Sequence, residues 1–189
     1  MNVFRITTEK WAGNLRGSGF AARWNSNGIY TCYSASSRAL ACLEMVVHLN
    51  VDRLKTPFKL TIIDIPDELK IKTLDMDILP EYWSDHNNYP ICQKIGDKWI
   101  QNFESCILRV PSAIIKNEFN YLINHQHQDF KRLKIVDVED FEFDLRIKEN
   151  WKIDARLTSI FYVSNGNPLS NNFRIRCFFH VSTSLFATA

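Results

Sequence analysis

Three stretches of the chain carry apolar patterns regular enough to name an element. Residues 39–49 (ALACLEMVVHL) are apolar everywhere except Glu44 and His48, and a helix apolar on every side is normally buried. Residues 58–65 (FKLTIIDI) form a run of strand length closed by Pro66, which cannot donate to a ladder. Residues 90–102 (PICQKIGDKWIQN) place apolar side chains at Ile91, Ile95, Trp99 and Ile100, a helical spacing with proline in the first turn that Gly96 weakens.

Shorter signals fill the intervals. Residues 3–6 read as an edge strand, 29–33 as strand-like, and 105–110 (SCILRV) as a short buried strand ended by Pro111. Residues 133–144 alternate apolar and acidic side chains and predict one or two strands with the acidic set toward water. Residues 11–19 read as a flexible glycine-rich loop, 25–28 as a turn, 67–80 as a connection with partial strand character, and 81–88 as a loop. Gly13, Gly17 and Gly19 are too irregularly placed for a dinucleotide or P-loop fingerprint. Many short strands with two or three helices, not alternating regularly, predict an α+β domain.

Within the apolar helix, Glu44 needs an explanation. A buried carboxylate must take up a proton, find a cation and hydrogen-bond donors, or face a cleft where its charge is used. Arg23 is the nearest cation in sequence able to serve, and the plainest reading of the two is a structural ion pair. Ser112 falls just past a strand end, where ligand-binding groups gather, although a turn or cap hydroxyl explains it as well.

Composition narrows the function. With 189 residues, 46% hydrophobic and 23% charged, the chain is an ordinary globular protein with material for one full core. A net charge of +2 without a dense Lys/Arg block lacks the footprint of a nucleic-acid binder. No uncharged apolar run approaches a bilayer span, so the expected location is cytoplasmic, with no membrane contact. Five scattered cysteines among apolar neighbours predict reduced core thiols. His125 and His127 have no third ligand at a recognisable spacing, so no metal is assigned.

The run Arg23, Trp24, Asn25, Gly28, Ile29, Tyr30, Tyr33, Ala39, Leu40, Ala41, Leu43, Glu44 and His48 resembles the opening motif of the RES domain, the toxin half of bacterial RES–Xre toxin–antitoxin pairs. Gly96, Asp97 and Trp99, then Leu108, Val110, Pro111, Ser112 and Ala113, then Glu118, Asn120, Tyr121, Leu122, Ile123, Asn124 and His127, resemble its second block in the same order. The arginine, glutamate and serine that name the family match Arg23, Glu44 and Ser112.

This resemblance implies a fold similar to ADP-ribosyltransferases of the diphtheria-toxin kind and a cleft taking NAD as substrate. It implies cleavage of the nicotinamide–ribose bond by phosphorolysis or hydrolysis, with inorganic phosphate a candidate co-substrate. Arg23, Tyr33 and Glu44 are then the catalytic set, and Arg23, Tyr33, Ser112 and Asn120 the dinucleotide contacts. A carboxylate beside the ribose suits an oxocarbenium-like state, and a guanidinium suits the pyrophosphate or an attacking phosphate. Tyr33 is expected to pack against the nicotinamide or orient the ribose, its hydroxyl at the wet end of the cleft. The implied partner is an Xre-like helix-turn-helix antitoxin that blocks the cleft, together with a toxin homodimer; DNA contact would belong to the antitoxin.

Two alternatives remain: a protein ADP-ribosyltransferase using the same cleft, and a non-catalytic binding module in which Arg23 and Glu44 form a buried structural pair. His125 stands where many family members carry a proline. The resemblance assigns residues 1–147 to the RES domain and leaves 148–189 as an apolar, aromatic extension. That extension is an added hairpin, a cover for a partner surface, or translation past the natural reading frame.

Overall fold

In the computed structural model, which describes residues 1–149, one mixed sheet organises the chain. Its strands are β1 (Asn2–Thr8), β2 (Cys32–Ala35), β3 (Phe58–Asp64), β4 (Ile71–Thr73), β5 (Ile107–Pro111), β6 (Phe119–Ile123) and β7 (Lys134–Phe141). The helices are α1 (Glu9–Ala12), α2 (Arg38–Val46), α3 (Val51–Leu54), α4 (Tyr89–Gln101) and α5 (Arg146–Glu149), joined by three short 3-10 turns. Strand order is β4-β5-β6-β2-β1-β3-β7, antiparallel except for the parallel β4–β5 pair. The class is α+β, and the described residues belong to one compact unit. The readings made of the extension lie outside the described residues.

Strand alternation distributes the core to both faces of the sheet. Val3, Cys32, Ile63, Ile107 and Ile123 share one cluster with Leu15 and Leu133. Their odd-numbered and even-numbered neighbours point the other way: Ile6, Ala35 and Leu60 pack with α2 residues Leu40, Ala41 and Val46, and Leu108, Val110 and Leu122 pack with α4 residues Trp99 and Ile100. Helices α2 and α4 therefore cover two separate parts of the sheet, leaving room between them.

Four expectations change. Strand β1 is not an edge: it runs between β2 and β3, and a short apolar pattern does not tell a chain how many neighbours it has. Helix α2 is shorter than residues 39–49 and not buried all round, with Val47 at 51% exposure just beyond its end. In α4 the buried side is Cys92, Gly96, Trp99 and Ile100, while Ile91 is 42% exposed. Gly96 does not weaken that helix but permits its packing, because a Cβ there would stand 1.9 Å from the Trp24 carbonyl oxygen. Finally, residues 11–19 are not a free loop, since Glu9–Ala12 is helical and Gly17 lies so close to Thr31 that a Cβ would meet its carbonyl oxygen at 2.0 Å.

Strand β7 does form over the alternating acidic run, but its alternation does not sort the two sets: Val136 and Val138 are exposed along with Asp137 and Asp140. Cys32, Cys92 and Cys106 are buried free thiols and Cys42 is a half-buried one. Burial, helped by Asp129, pushes the Cys106 thiol up to about 12, and burial also raises Cys32, Cys42 and Cys92, so none is poised as a thiolate. No helix among the described residues is long and apolar enough to cross a membrane.

Candidate active site

The cleft begins as a gap in the sheet. Strand β1 pairs with β3 along all seven of its residues, but with β2 only at Phe4–Ala35. On either side of that pair the two strands part. A cavity of about 760 Å³ opens there, lined by Arg5 and Thr7 from β1, Thr31 and Tyr33 from the β2 side, Ala41, Glu44 and Met45 from α2, and His48 just past that helix's end. Those last four fall at i, i+3, i+4 and i+7, one face of a helix. This explains the sequence puzzle of a helix with too many apolar residues: one side packs on the sheet and the other walls the cavity. The volume lies within the range of small-ligand sites, roughly 300–1,000 Å³.

Ser37 starts α2 by accepting a hydrogen bond from the Leu40 amide at 3.1 Å, the usual serine N-cap. Two turns on, the half-buried Glu44 meets two donors from the far half of the sheet. Asn120 Nδ2 donates to Glu44 Oε1 at 2.5 Å, and Ser112 Oγ donates to the same oxygen at 3.0 Å. Ser112 Oγ also accepts from the Ile114 and Ile115 amides at 3.1 and 3.2 Å. Its hydroxyl thus caps a turn and orients the carboxylate together, joining the two readings that its sequence position allowed. Among the described residues nothing donates to Glu44 Oε2, and nothing bonds the buried Asn120 Oδ1.

Arg23 does not pair with Glu44; no ion pair joins them among the described residues. Its Nη1 donates to the Trp83 carbonyl at 3.1 Å and its Nη2 to the Tyr89 hydroxyl at 3.3 Å. The guanidinium also lies 4.3 Å from the Tyr89 ring centroid and 5.6 Å from that of Trp83. Neutral partners fix its plane without neutralising its charge, which leaves a cation on the cavity wall able to receive an anion.

Tyr33 lines the cavity through its ring, but its hydroxyl does not reach the wet end expected of it. The hydroxyl donates to Asn25 Oδ1 at 2.8 Å and accepts from the Trp24 amide at 3.1 Å. A phenol buried this far needs partners, and Asn25, 2% exposed, supplies one while its own amide nitrogen holds the carbonyls of Phe20, Ser26 and Ile29. Burial raises the Tyr33 pKa, and nearby Asp97 and Tyr89 add to the rise. Tyr33 stays a neutral phenol at any physiological pH.

Sequence reasoning missed Arg5. From β1 it brings a second guanidinium to the cavity, donating to the Asn14 carbonyl at 2.8 Å and more weakly to those of Trp11 and Arg16 at 3.5 Å. An arginine on a strand between two apolar neighbours was the available signal. His125 and His127 do not converge on a common point: His125 packs edge-on to Tyr30 and Phe130, and His127 Nδ1 accepts from the Asp129 amide at 3.1 Å. Among the described residues no three histidine, cysteine or acidic side chains gather as metal ligands.

The parted sheet of this α+β fold thus brings a carboxylate clamped by two donors and the guanidinium groups of Arg5 and Arg23 to the wall of one cavity. The chain belongs to the RES domain family, whose model matches residues 2–146. It is 38% identical over 154 residues to a protein of Sphingobium sp. (strain YBL2) named Prs ADP-ribosylating toxin, covering 77% of this chain and 96% of that one. It is 36% identical over 152 residues to Toxin Res of Photorhabdus laumondii, covering 78% and 97%. In fold it is similar to a chain of the M. tuberculosis MbcT–MbcA toxin–antitoxin complex, with a TM-score of 0.62 and 19% identity over 75% of this chain and 84% of that one.

Proposed function

We propose that this chain is the toxin of a toxin–antitoxin pair and consumes NAD by cleaving the nicotinamide–ribose bond. The observation that carries the reading is Glu44: a half-buried carboxylate on a cavity wall, aimed by Ser112 and Asn120 through one oxygen, with no donor to the other oxygen among the described residues. In the reaction the ribose C1′–nitrogen bond breaks, its electron pair leaving on nicotinamide. An oxygen of phosphate or water then bonds to C1′, and water releases its proton to solvent. Positive charge develops on the ribose between these events, and a fixed carboxylate beside it stabilises that charge without reorganising.

The other residues take roles around this centre. Arg23 keeps N–H donors for the pyrophosphate or for an attacking phosphate. The Tyr33 ring supplies an apolar wall for nicotinamide, held rigid by Asn25 and the Trp24 amide. Ser112 acts chiefly through Glu44, and Asn120 adds a carbonyl oxygen lacking a partner among the described residues. No step requires a metal. The partner is an Xre-like antitoxin occluding the cleft, the toxin itself pairs as a homodimer, and it acts in the cytoplasm.

One observation favours a second reading. The Sphingobium relative is named an ADP-ribosylating toxin, and a protein side chain can replace phosphate or water as the oxygen or nitrogen nucleophile in the same cleft. The two readings separate in one experiment: follow NAD loss by antitoxin-free protein with and without inorganic phosphate, and trace adenine-labelled NAD onto macromolecules in a cell extract. Free nicotinamide with phosphate-dependent turnover supports the phosphorylase, and label retained on protein without phosphate dependence supports the transferase. No NAD loss in either setting contradicts both.

A further inference from the structure

At the opposite part of the cavity from the Glu44 clamp is a residue that the mechanism above does not use. Trp11 closes the short helix α1 and lines the cavity while remaining 38% exposed. A partly exposed indole on the wall of a ligand cavity presents a flat apolar face that a planar ligand group can cover. Its backbone is not loose. The Ala12 carbonyl accepts from Thr61 Oγ1 at 3.0 Å, and Arg5 donates to the carbonyls of Trp11 and Asn14. The ring is therefore carried on an anchored segment, with the Lys10 ammonium 5.5 Å from its centroid.

We propose that Trp11 is the stacking platform for the purine base of an adenine nucleotide, and so a specificity-determining residue for ligands that carry that base. This rests on the reading of the cavity as an NAD site and says which end of the ligand goes where. An aromatic face attracts any base through stacking. The Arg5 guanidinium is tied to the same segment and lines the same cavity, so a cation stands where the phosphates next to an adenosine would lie. Gly17 and Ser18 also line this part, and Gly17 lies against the Thr31 backbone with no room for a side chain. The aromatic surface, the cation and the backbone-walled floor together fit an adenosine phosphate.

The test is calorimetric titration of the full chain with ADP-ribose and with ribose 5-phosphate, using wild type, Trp11→Ala and Trp11→Phe. Trp11→Ala is expected to weaken ADP-ribose binding roughly ten-fold, the loss typical of one base–aromatic stack. Trp11→Phe should recover most of it, and ribose 5-phosphate, which has no base, should bind all three alike. Titration reads binding without turnover, so a failure of the catalytic reading leaves this result intact. Unchanged ADP-ribose affinity in Trp11→Ala, equal losses for both ligands, or no binding of ADP-ribose by wild type would each overturn the proposal.

Discussion

Asn120 and Glu44, brought together from β6 and α2, share a hydrogen bond of 2.5 Å that ties the catalytic candidate of one half of the protein to the sheet of the other. Hydrogen bonds to charged groups contribute about 1.5–3 kcal/mol. If the bond aims Glu44 at the ribose, Asn120→Ala should lower kcat for NAD by about ten- to a hundred-fold while Tm falls only slightly. Ser112→Ala should lose comparable rate and more stability, because the Ile114 and Ile115 amides lose their acceptor as well. Steady-state kinetics beside thermal unfolding checks this, and an unimpaired Asn120→Ala enzyme would contradict it.

Gly96 predicts a purely structural failure. Its Cα stands so close to the Trp24 carbonyl that Gly96→Ala must push α4 away from the segment carrying Arg23. Overpacking of this kind costs about 1–3 kcal/mol, and backbone on the receiving side yields little. Denaturant unfolding should show a lower midpoint with an unchanged slope.

His125 predicts a pH effect. Burial, with Arg16 adding to it, lowers its pKa below the ordinary value, and its buried Nδ1 has no hydrogen-bond partner among the described residues. A histidine held neutral in this way favours the folded state above the unfolded pKa of about 6.5. That contribution is lost as pH falls through the lower folded value. Tm should therefore decline from pH 6.5 downward more steeply in wild type than in His125→Gln. Equal slopes would show that other groups carry the acid sensitivity.

Much of this architecture was legible because local chemistry and tertiary context agree. Strand β3 followed from a β-branched run ended by Pro66, helix α4 from its spacing and Pro90, and β7 from acidic alternation. The illegible parts are those decided by neighbours distant in sequence. Whether β1 is central or peripheral depends on two strands that arrive later, and the direction of the Tyr33 hydroxyl depends on Asn25 being turned inward. Glu44 stood out as a misplaced charge, yet its partners lie 68 and 76 residues away in sequence, and the expected cation is not among them. Arg5 escaped notice because an arginine between two apolar strand residues, the one signal it carries, becomes telling only when the strand beside it parts.

The measurement that bears most directly on the central claim is NAD consumption by antitoxin-free wild type beside Glu44→Gln, with both proteins checked for folding by circular dichroism and thermal unfolding. Glutamine keeps the shape of the side chain and removes the charge. If Glu44 stabilises the developing ribose cation, wild type consumes NAD and the folded variant loses at least about a hundred-fold in rate, the scale of a lost electrostatic contact in a transition state. A well-folded Glu44→Gln protein that consumes NAD as fast as wild type would contradict the account.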